Sequence, residues 1–328
     1  MIDLRQGDCL IEHKHIKDGS VDLILTDLPY GTVKGANLDG WGGTKTDWDV
    51  VIDTKKIYEI ANRILRKNGK MVLFCQEPFT TELITKAIAN IPFNYRMIWE
   101  KDHYANALMA MKAPVNYYED VLVFSKNHDF EGLHPLRPYF RKVLDFIGLN
   151  LKKINNKLGH RKAEHSFYVS PKKVIIEKIG QKADHVFRNG SSQFSLCTEE
   201  TYKELIDIFK IDKMNGFKTF TELENIDLKF ASTFNLWQGK KHKSNIFKYS
   251  KDYDSYHPTQ KPIALLSDLI LTFSNENDLV VDLTMGSGST GVACIKTNRR
   301  FFGIELDKDY FKIAENRIMN EKRQLTLF

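Results

Sequence analysis

The feature that most constrains this chain lies near its end. Asp282-Leu-Thr-Met-Gly286-Ser-Gly288-Ser-Thr-Gly291 follows the apolar run DLVVDL (278–283) and leads into helical spacing up to about Lys296. A glycine-rich turn between a strand and a helix lets backbone approach a ligand closely. Gly286, Gly288 and Gly291 spell the GxGxxG pattern of dinucleotide-binding folds, and Glu305 closes the next apolar run (RFFGIEL, 300–306), where it would accept from ribose hydroxyls. Such a fold normally opens on this loop and continues for at least another half. Only 37 residues follow Gly291. Strands from the N-terminal part must therefore complete the sheet, with the cofactor half last. Asp282, just ahead of the glycines, would repel a pyrophosphate but suits a cationic amino group. An NAD(P)-binding Rossmann oxidoreductase stays open as the rival reading of this loop.

The N-terminal part has the rhythm this requires. VDLILTD (21–27), GKMVLFC (69–75), NYRMIWEK (94–101) and DVLVFSK (120–126) read as strands, with helical spacing over Asp53–Lys67 and Pro78–Asn90. The alternation predicts an α/β fold with a largely parallel sheet covered by helices. Ile263–Phe273 reads as a helix, and Asp307 caps a last helix running to about Lys322. The middle differs: it is helical, aromatic and basic. Residues 131–250 hold 22 Lys+Arg against 13 Asp+Glu, while the rest holds 26 against 29. That asymmetry is the footprint of phosphate binding. The chain is thus expected to divide into 1–127, an inserted and mainly helical 128–250, and 251–328. Residues 152–168 and 172–188 share six identities in 17, which would suit a pair of short helical units.

Other classes are disfavoured. At 42% hydrophobic residues the chain can bury a sizeable core. Cys9, Cys75, Cys197 and Cys294 are scattered without a CxxC pair, so they are expected as reduced, buried thiols and no metal is expected. His165 and His185 are expected to pack rather than ligate. No apolar run reaches membrane-spanning length and the first residues do not read as a signal peptide, so the expected location is cytoplasmic.

VDLILTD ends in Asp27-Leu28-Pro29-Tyr30, which sets a carboxylate, a fixed turn and an aromatic ring at the carboxyl edge of a sheet, where α/β proteins bind ligands. The turn resembles the DPPY motif of amino-group DNA methyltransferases. Asp282–Thr290 resembles their D-P-F-x-G-S-G-T-T cofactor motif, and His257-Pro-Thr-Gln-Lys261-Pro262 resembles the segment holding the cofactor's methionine end. The order, catalytic motif, variable region, then cofactor motif, resembles the β group of these enzymes, over roughly residues 1–127 and 251–328. Leu28 stands where the family has Pro, and Leu283-Thr284 where it has Pro-Phe.

The resemblance implies a Rossmann-like, S-adenosylmethionine-dependent methyltransferase sheet in circularly permuted order, and a site-specific enzyme acting on adenine N6 in duplex DNA. Asp27 and the Leu28 carbonyl would accept the two N–H groups of the amine, Pro29 would shape the turn, and Tyr30 would stack on an extruded base. S-adenosyl-L-methionine would lie among Asp8, Cys9, His257, Thr259, Gln260, Lys261, Asp282, Gly286, Ser287, Gly288 and Glu305. Asp47-Trp48-Asp49 would close a loop after Tyr30. DNA would be held by Arg137, Arg141, Lys152, Lys153, Arg161, Lys172, Lys173, Lys240, Lys241 and Lys243. A homodimer and a separately encoded restriction endonuclease are the other partners the resemblance suggests. Methylation of cytosine N4, also an amine, remains the alternative, though enzymes of that type usually carry Ser in place of Asp27. No Pro-Cys pair is present for attack at cytosine C5. A DNA-binding protein without catalysis and an RNA methyltransferase are further rivals.

Overall fold

The apolar runs become strands of one sheet. A computed structural model describes residues 1–31, 51–105, 110–126, 134–157, 170–188, 194–230, 232–236, 241–252 and 260–325. The strands are β1 (Ile2–Gln6), β2 (Val21–Asp27), β3 (Leu65–Cys75), β4 (Phe93–Ala105), β5 (Asn116–Ser125), β6 (Ile246–Lys248), β7 (Leu279–Asp282) and β8 (Arg300–Glu305). The helices are α1 (Cys9–Glu12), α2 (Thr54–Ile64), α3 (Phe79–Thr85), α4 (Arg137–Lys157), α5 (Pro171–Ile179), α6 (Glu199–Phe209), α7 (Phe220–Phe230), α8 (Ile263–Phe273), α9 (Ser289–Lys296) and α10 (Lys308–Leu325).

The strand order is β1-β8-β7-β2-β3-β5-β4-β6. The late strands β7 and β8 sit between β1 and β2, so both ends of the polypeptide build one sheet. Leu23 lies opposite Val280, and Leu4 opposite Gly303. From β1 to β3 all ladders are parallel, as expected. Beyond β3 the sheet, still largely parallel as expected, becomes mixed: β5 runs antiparallel to β3 and to β4, while β6 is parallel to β4. The link from Ala105 to Asn116 is too short for a crossover of a dozen or more residues, so the chain returns as a hairpin.

The central strands are buried on both faces, which explains their unbroken apolar runs. Ile24, Met71, Leu73 and Leu122 face α2 and α3 (Ile57, Tyr58, Ile64, Phe79, Leu83). Leu23, Leu25, Val72 and Val123 share the other cluster with α8, α9 and α10 (Leu265, Leu269, Val292, Ala314, Ile318). The strands thus sort alternate residues to opposite faces. Helix α2 starts as expected, with the Asp53 carboxylate accepting from the Lys55 N–H at 2.9 Å, but ends at Ile64, where β3 begins.

The chain divides into two compact units, Met1–His128 with Ser232–Phe328, and Asp129–Ala231. The second is helical, with its own core of Leu136, Phe140, Val143, Ile175, Tyr202 and Leu205. The expected insert boundary at 250 therefore moves to Ala231. The lysine-rich stretch before Ser250 belongs to the first unit, because Phe247, 6% exposed, lies on β6 opposite Trp99 and joins its core. The two copies of the faint repeat differ. Residues 152–157 finish the long α4, whereas 172–188 form α5 and two single 3-10 turns, and 158–169 lie outside the described residues. His185 is exposed rather than packed; His165 and Asp47-Trp48-Asp49 lie outside the described residues. All four cysteines are free and buried. Among the described residues no group of His, Cys, Asp and Glu could hold a metal, and no helix is long and apolar enough to cross a membrane.

Candidate active site

Adjacent strands β2 and β7 deliver the turn and the loop to the same edge of the sheet. The Thr284 hydroxyl donates to the Asp27 carbonyl at 2.9 Å, and the Thr26 hydroxyl donates to Asp282 Oδ1 at 2.8 Å. The two segments singled out from opposite ends of the sequence are thus directly bonded. Both departures from the family pattern find a reason here. Leu28, 2% exposed, drops its side chain into the core beside α2 and anchors the turn. Leu283, 1% exposed, does the same for the loop, and Thr284 supplies the bond to the turn.

The Asp27 carboxylate heads a chain of buried charges. Its Oδ1 accepts from the Tyr30 hydroxyl at 2.5 Å and its Oδ2 pairs with Lys261 Nζ. Lys261 also pairs with Glu119 Oε2 at 3.2 Å, and Lys101 pairs with Glu119 Oε1. Lys261 lies 5.1 Å from the centre of the Phe74 ring, and Lys101 5.1 Å from that of Trp99. Lys101, Glu119 and Lys261 are each no more than 8% exposed. Charge is therefore compensated inside the protein, in the order carboxylate, ammonium, carboxylate, ammonium. Burial lowers the Lys261 ammonium, but Asp27 and Glu119 outweigh it and hold it at about 12. Burial raises the Glu119 carboxyl, yet Lys261 and Lys101 bring it below its ordinary value. At Asp27 burial prevails over Lys261, and Glu119 adds to the rise. The Tyr30 hydroxyl is pushed far up by burial and then by Asp27, so it stays a proton donor to Asp27. The Tyr30 ring packs against Phe79 at 5.6 Å.

Lys261, expected at the methionine end of a cofactor, places its Nζ on Asp27. Sequence reasoning missed Glu119 and Lys101. No signal marked them: Lys101 is flanked by Glu100 and Asp102 on β4, and Glu119 by Asp120 on β5, so neither stood out from its charged neighbours.

The glycine loop separates two functions. Gly286 has φ +52°, and a side chain there would meet nothing within 4 Å among the described residues. Gly288 has φ +83°, and its Cβ would lie 2.9 Å from the Ala314 Cα on α10. Gly291 is equally closed, by Ile318 and Phe301. Of the two glycines expected to admit a cofactor, Gly286 alone faces open space; Gly288 lets α10 close onto the loop. Glu305 Oε2 accepts from the Gly286 N–H and Oε1 from the Asp307 N–H, both at 2.8 Å. Burial raises its carboxyl. The carbonyl of Glu305 accepts from the Gly7 N–H at 2.8 Å, which brings Asp8 alongside. Asp8 is exposed and caps α1 through the Leu10 N–H at 2.8 Å; Cys9 is a core thiol, 4% exposed and pushed up to about 12 by burial. Asp282 is 3% exposed, accepts from Thr26 and the Thr284 N–H, and is raised by burial to about 6. Gln260 and Ser287 are linked by a 3.1 Å hydrogen bond, and Arg317 of α10 donates to the Ser287 carbonyl at 2.6 Å. His257 and Thr259 lie outside the described residues.

A carboxylate turn bonded to a glycine loop at one sheet edge is the arrangement the motif order predicts. The sequence profile of the DNA methylase family, the N6- and N4-amino methyltransferases, matches residues 21–316. The chain belongs to this family. Among curated DNA methylases it is similar to the DNA adenine methyltransferase YhdJ of Escherichia coli, 26% identical over 318 residues that cover 95% of this chain and 81% of YhdJ. It is 40% identical over 83 residues to the type II methyltransferase M2.LlaDCHI of Lactococcus lactis, covering 25% of this chain and 29% of that one. Among solved structures, the M1.HpyAVI–SAM complex shares the fold, with TM-score 0.51 and 19% identity over 97% of this chain and 99% of that one.

For a DNA methylase the placement of the expected DNA-contacting cations matters. Arg141 and Lys173 are exposed on α4 and α5. Arg137 is corrected: it is 8% exposed, donates toward the Arg188 carbonyl at 3.4 Å and lies 5.2 Å from the centre of the Phe194 ring, so it serves the core of the helical unit. Lys172 is paired with Asp184 at 2.7 Å. Lys241, exposed, and Lys243, paired with Asp268, lie in the sheet unit rather than the helical one. Lys152 and Lys153 fall in α4, and Arg161 and Lys240 lie outside the described residues.

Proposed function

We propose that this DNA methylase transfers a methyl group from S-adenosyl-L-methionine to the N6 amine of adenine in duplex DNA, at a base turned out of the helix. The observation carrying this reading is the bond from Thr284 to the Asp27 carbonyl, which joins the carboxylate turn to the glycine loop at one edge of the sheet.

The residues present fit the cofactor. Gly286 leaves open space at the loop, and Glu305, already fixed by two backbone N–H groups, presents a carboxylate of the kind that holds ribose hydroxyls. Asp8 stands next to it at the end of β1, suited to the adenine ring. When bound, the cofactor supplies an electrophilic methyl group on a sulfonium. The protein's task is to make the amine nucleophilic. An adenine amine is a poor nucleophile because its lone pair is delocalised into the ring. Asp27 and the Leu28 carbonyl accept its two N–H groups and draw it toward tetrahedral geometry, and Pro29 keeps the turn in shape. Tyr30 stacks on the base, which offsets about 1–3 kcal/mol of the extrusion cost. Catalysis is then mostly positioning and electrostatics.

Double-stranded DNA is the proposed partner, held by exposed cations of the helical unit such as Arg141 and Lys173. A homodimer, a separately encoded restriction endonuclease and a cytoplasmic location belong to the same reading. The test is transfer of labelled methyl from S-adenosylmethionine to DNA, followed by nucleoside chromatography. N6-methyladenine is expected. An Asp27→Ala variant that keeps its circular dichroism spectrum should lose about 1,000-fold in rate, on the scale of removing one fixed polar group from an active site. N4-methylcytosine as product, or full activity without Asp27, overturns the reading.

A further inference from the structure

The buried charge chain extends past Asp27 and Lys261 to two residues of the β4–β5 hairpin. Glu119 lies on β5, and Lys101 on β4. Their ion pairs reach Asp27 by way of Lys261: Lys101 pairs with Glu119, Glu119 with Lys261, and Lys261 with Asp27. A lone ammonium against Asp27 would neutralise the carboxylate and weaken it as an acceptor. A second carboxylate on the same ammonium, itself held by a second ammonium, divides that charge.

We propose that Glu119 is a positioning residue for methyl transfer: it shares the Lys261 ammonium with Asp27, so that Lys261 fixes the Asp27 carboxylate without neutralising the acceptor for the substrate amine. This rests on the reading that Asp27 accepts from the amine. Lys101 orients Glu119 from the far side. The effect of Glu119 on its neighbours has a definite sign, since its negative charge raises both Asp27 and Lys261. The other titratable groups facing this pair are Tyr30, Lys101 and Cys75, with Asp282 beyond Asp27.

The experiment compares Glu119→Gln with the double variant Glu119→Gln/Lys101→Met, which restores net neutrality to the buried cluster. Both are assayed with labelled cofactor and DNA over a range of pH. Glu119→Gln is expected to lower kcat by about 10–100-fold, the scale of losing a group that orients a site residue, while KM for cofactor and DNA stays within about threefold. Removing the negative charge lowers Asp27 and Lys261 together, so both limbs of the kcat profile shift toward acid. A residue needed only for folding would scale the profile without shifting it. The double variant should fold as well as the parent yet stay slow and acid-shifted, and Glu119→Asp should recover part of the rate. Full recovery in the double variant, or an unshifted profile in Glu119→Gln, overturns the proposal. Failure of the parent to methylate DNA at all would instead remove the reading beneath it, so the two failures are distinguishable.

Discussion

The Asp27–Tyr30 turn and the Gly286–Gly291 loop end adjacent strands and share a hydrogen bond, yet they are held in place by opposite means. The turn is held by charge: behind its half-buried Asp27 carboxylate, Lys261, Glu119 and Lys101 alternate in sign, nearly out of water. The loop is held by shape. Gly288 and Gly291 admit Ala314 and Ile318 at distances that leave no room for a methyl group, and its polar bonds run mostly to backbone N–H groups and hydroxyls. The difference matches what the proposed function asks of each segment. An acceptor for a weakly basic amine needs a tuned carboxylate, whereas a cofactor cradle needs backbone close to the ligand and a helix close behind it. Errors of charge should therefore act on rate at the turn, and errors of volume on stability at the loop.

The largest stability effect that would sharpen this contrast is at Gly288. An Ala there adds a methyl 2.9 Å from the Ala314 backbone and requires φ +83° of a residue with a Cβ. Overpacking and left-handed strain together cost about 3 kcal/mol, a fall in melting temperature of roughly 5–10 °C. Gly288→Ala should melt early in thermal denaturation yet bind cofactor normally in its folded fraction. An unchanged melting temperature would mean that α10 retreats freely, and the loop would no longer be shape-held.

Asp282 offers a way to break the contrast, since it is a carboxylate on the shape-held side. Burial raises it from 3.8 to about 6, so the folded state binds the proton more tightly than the unfolded one. Its contribution to stability is full below pH 4 and is lost as pH rises through 6. An Asp282→Asn variant keeps an acceptor for Thr26 but does not titrate. Relative to the parent it should gain about 1 kcal/mol between pH 5 and pH 8, read from chemical denaturation at the two pH values. No gain, or a loss on the alkaline side, would mean that Asp282 is stabilised as an anion and that the loop too depends on charge.

How much of this was legible in the sequence divides along the same line. Shape leaves a local record. The glycines follow an apolar strand at fixed spacing, and their position near the C-terminus required β7 and β8 to join N-terminal strands. The turn was legible for the same reason. Strand direction was not: DVLVFSK has the same apolar pattern whichever way it runs, and only the short link to β4 makes β5 antiparallel. Charge leaves a weaker record still, because Glu119, Lys101 and Lys261 are far apart along the chain and become a network only when β4, β5 and the start of α8 converge. The same weakness misplaced the insert boundary. The lysines at 241, 243 and 248 resemble the basic middle segment, but burial of Phe247 decides where that stretch belongs. Arg137 shows the converse, a cation read as a phosphate ligand that helps close a core.

The smallest stability effect is also the most specific. Gly286→Ala places a methyl where no atom of the described residues lies within 4 Å, at φ +52°, so the fold loses only the left-handed penalty, about 1 kcal/mol. The methyl would nonetheless stand in the space next to the N–H that Glu305 holds. Cofactor affinity should then drop by about tenfold, roughly 1.4 kcal/mol by the conversion of affinity to free energy, in a calorimetric titration with S-adenosylmethionine. Set beside Gly288→Ala, the two substitutions should trade places: one stable and poor at binding, the other unstable and competent to bind. Equal losses of both properties in both variants would mean that the two glycines serve a single purpose, and that the open face at Gly286 is not where the cofactor meets the loop.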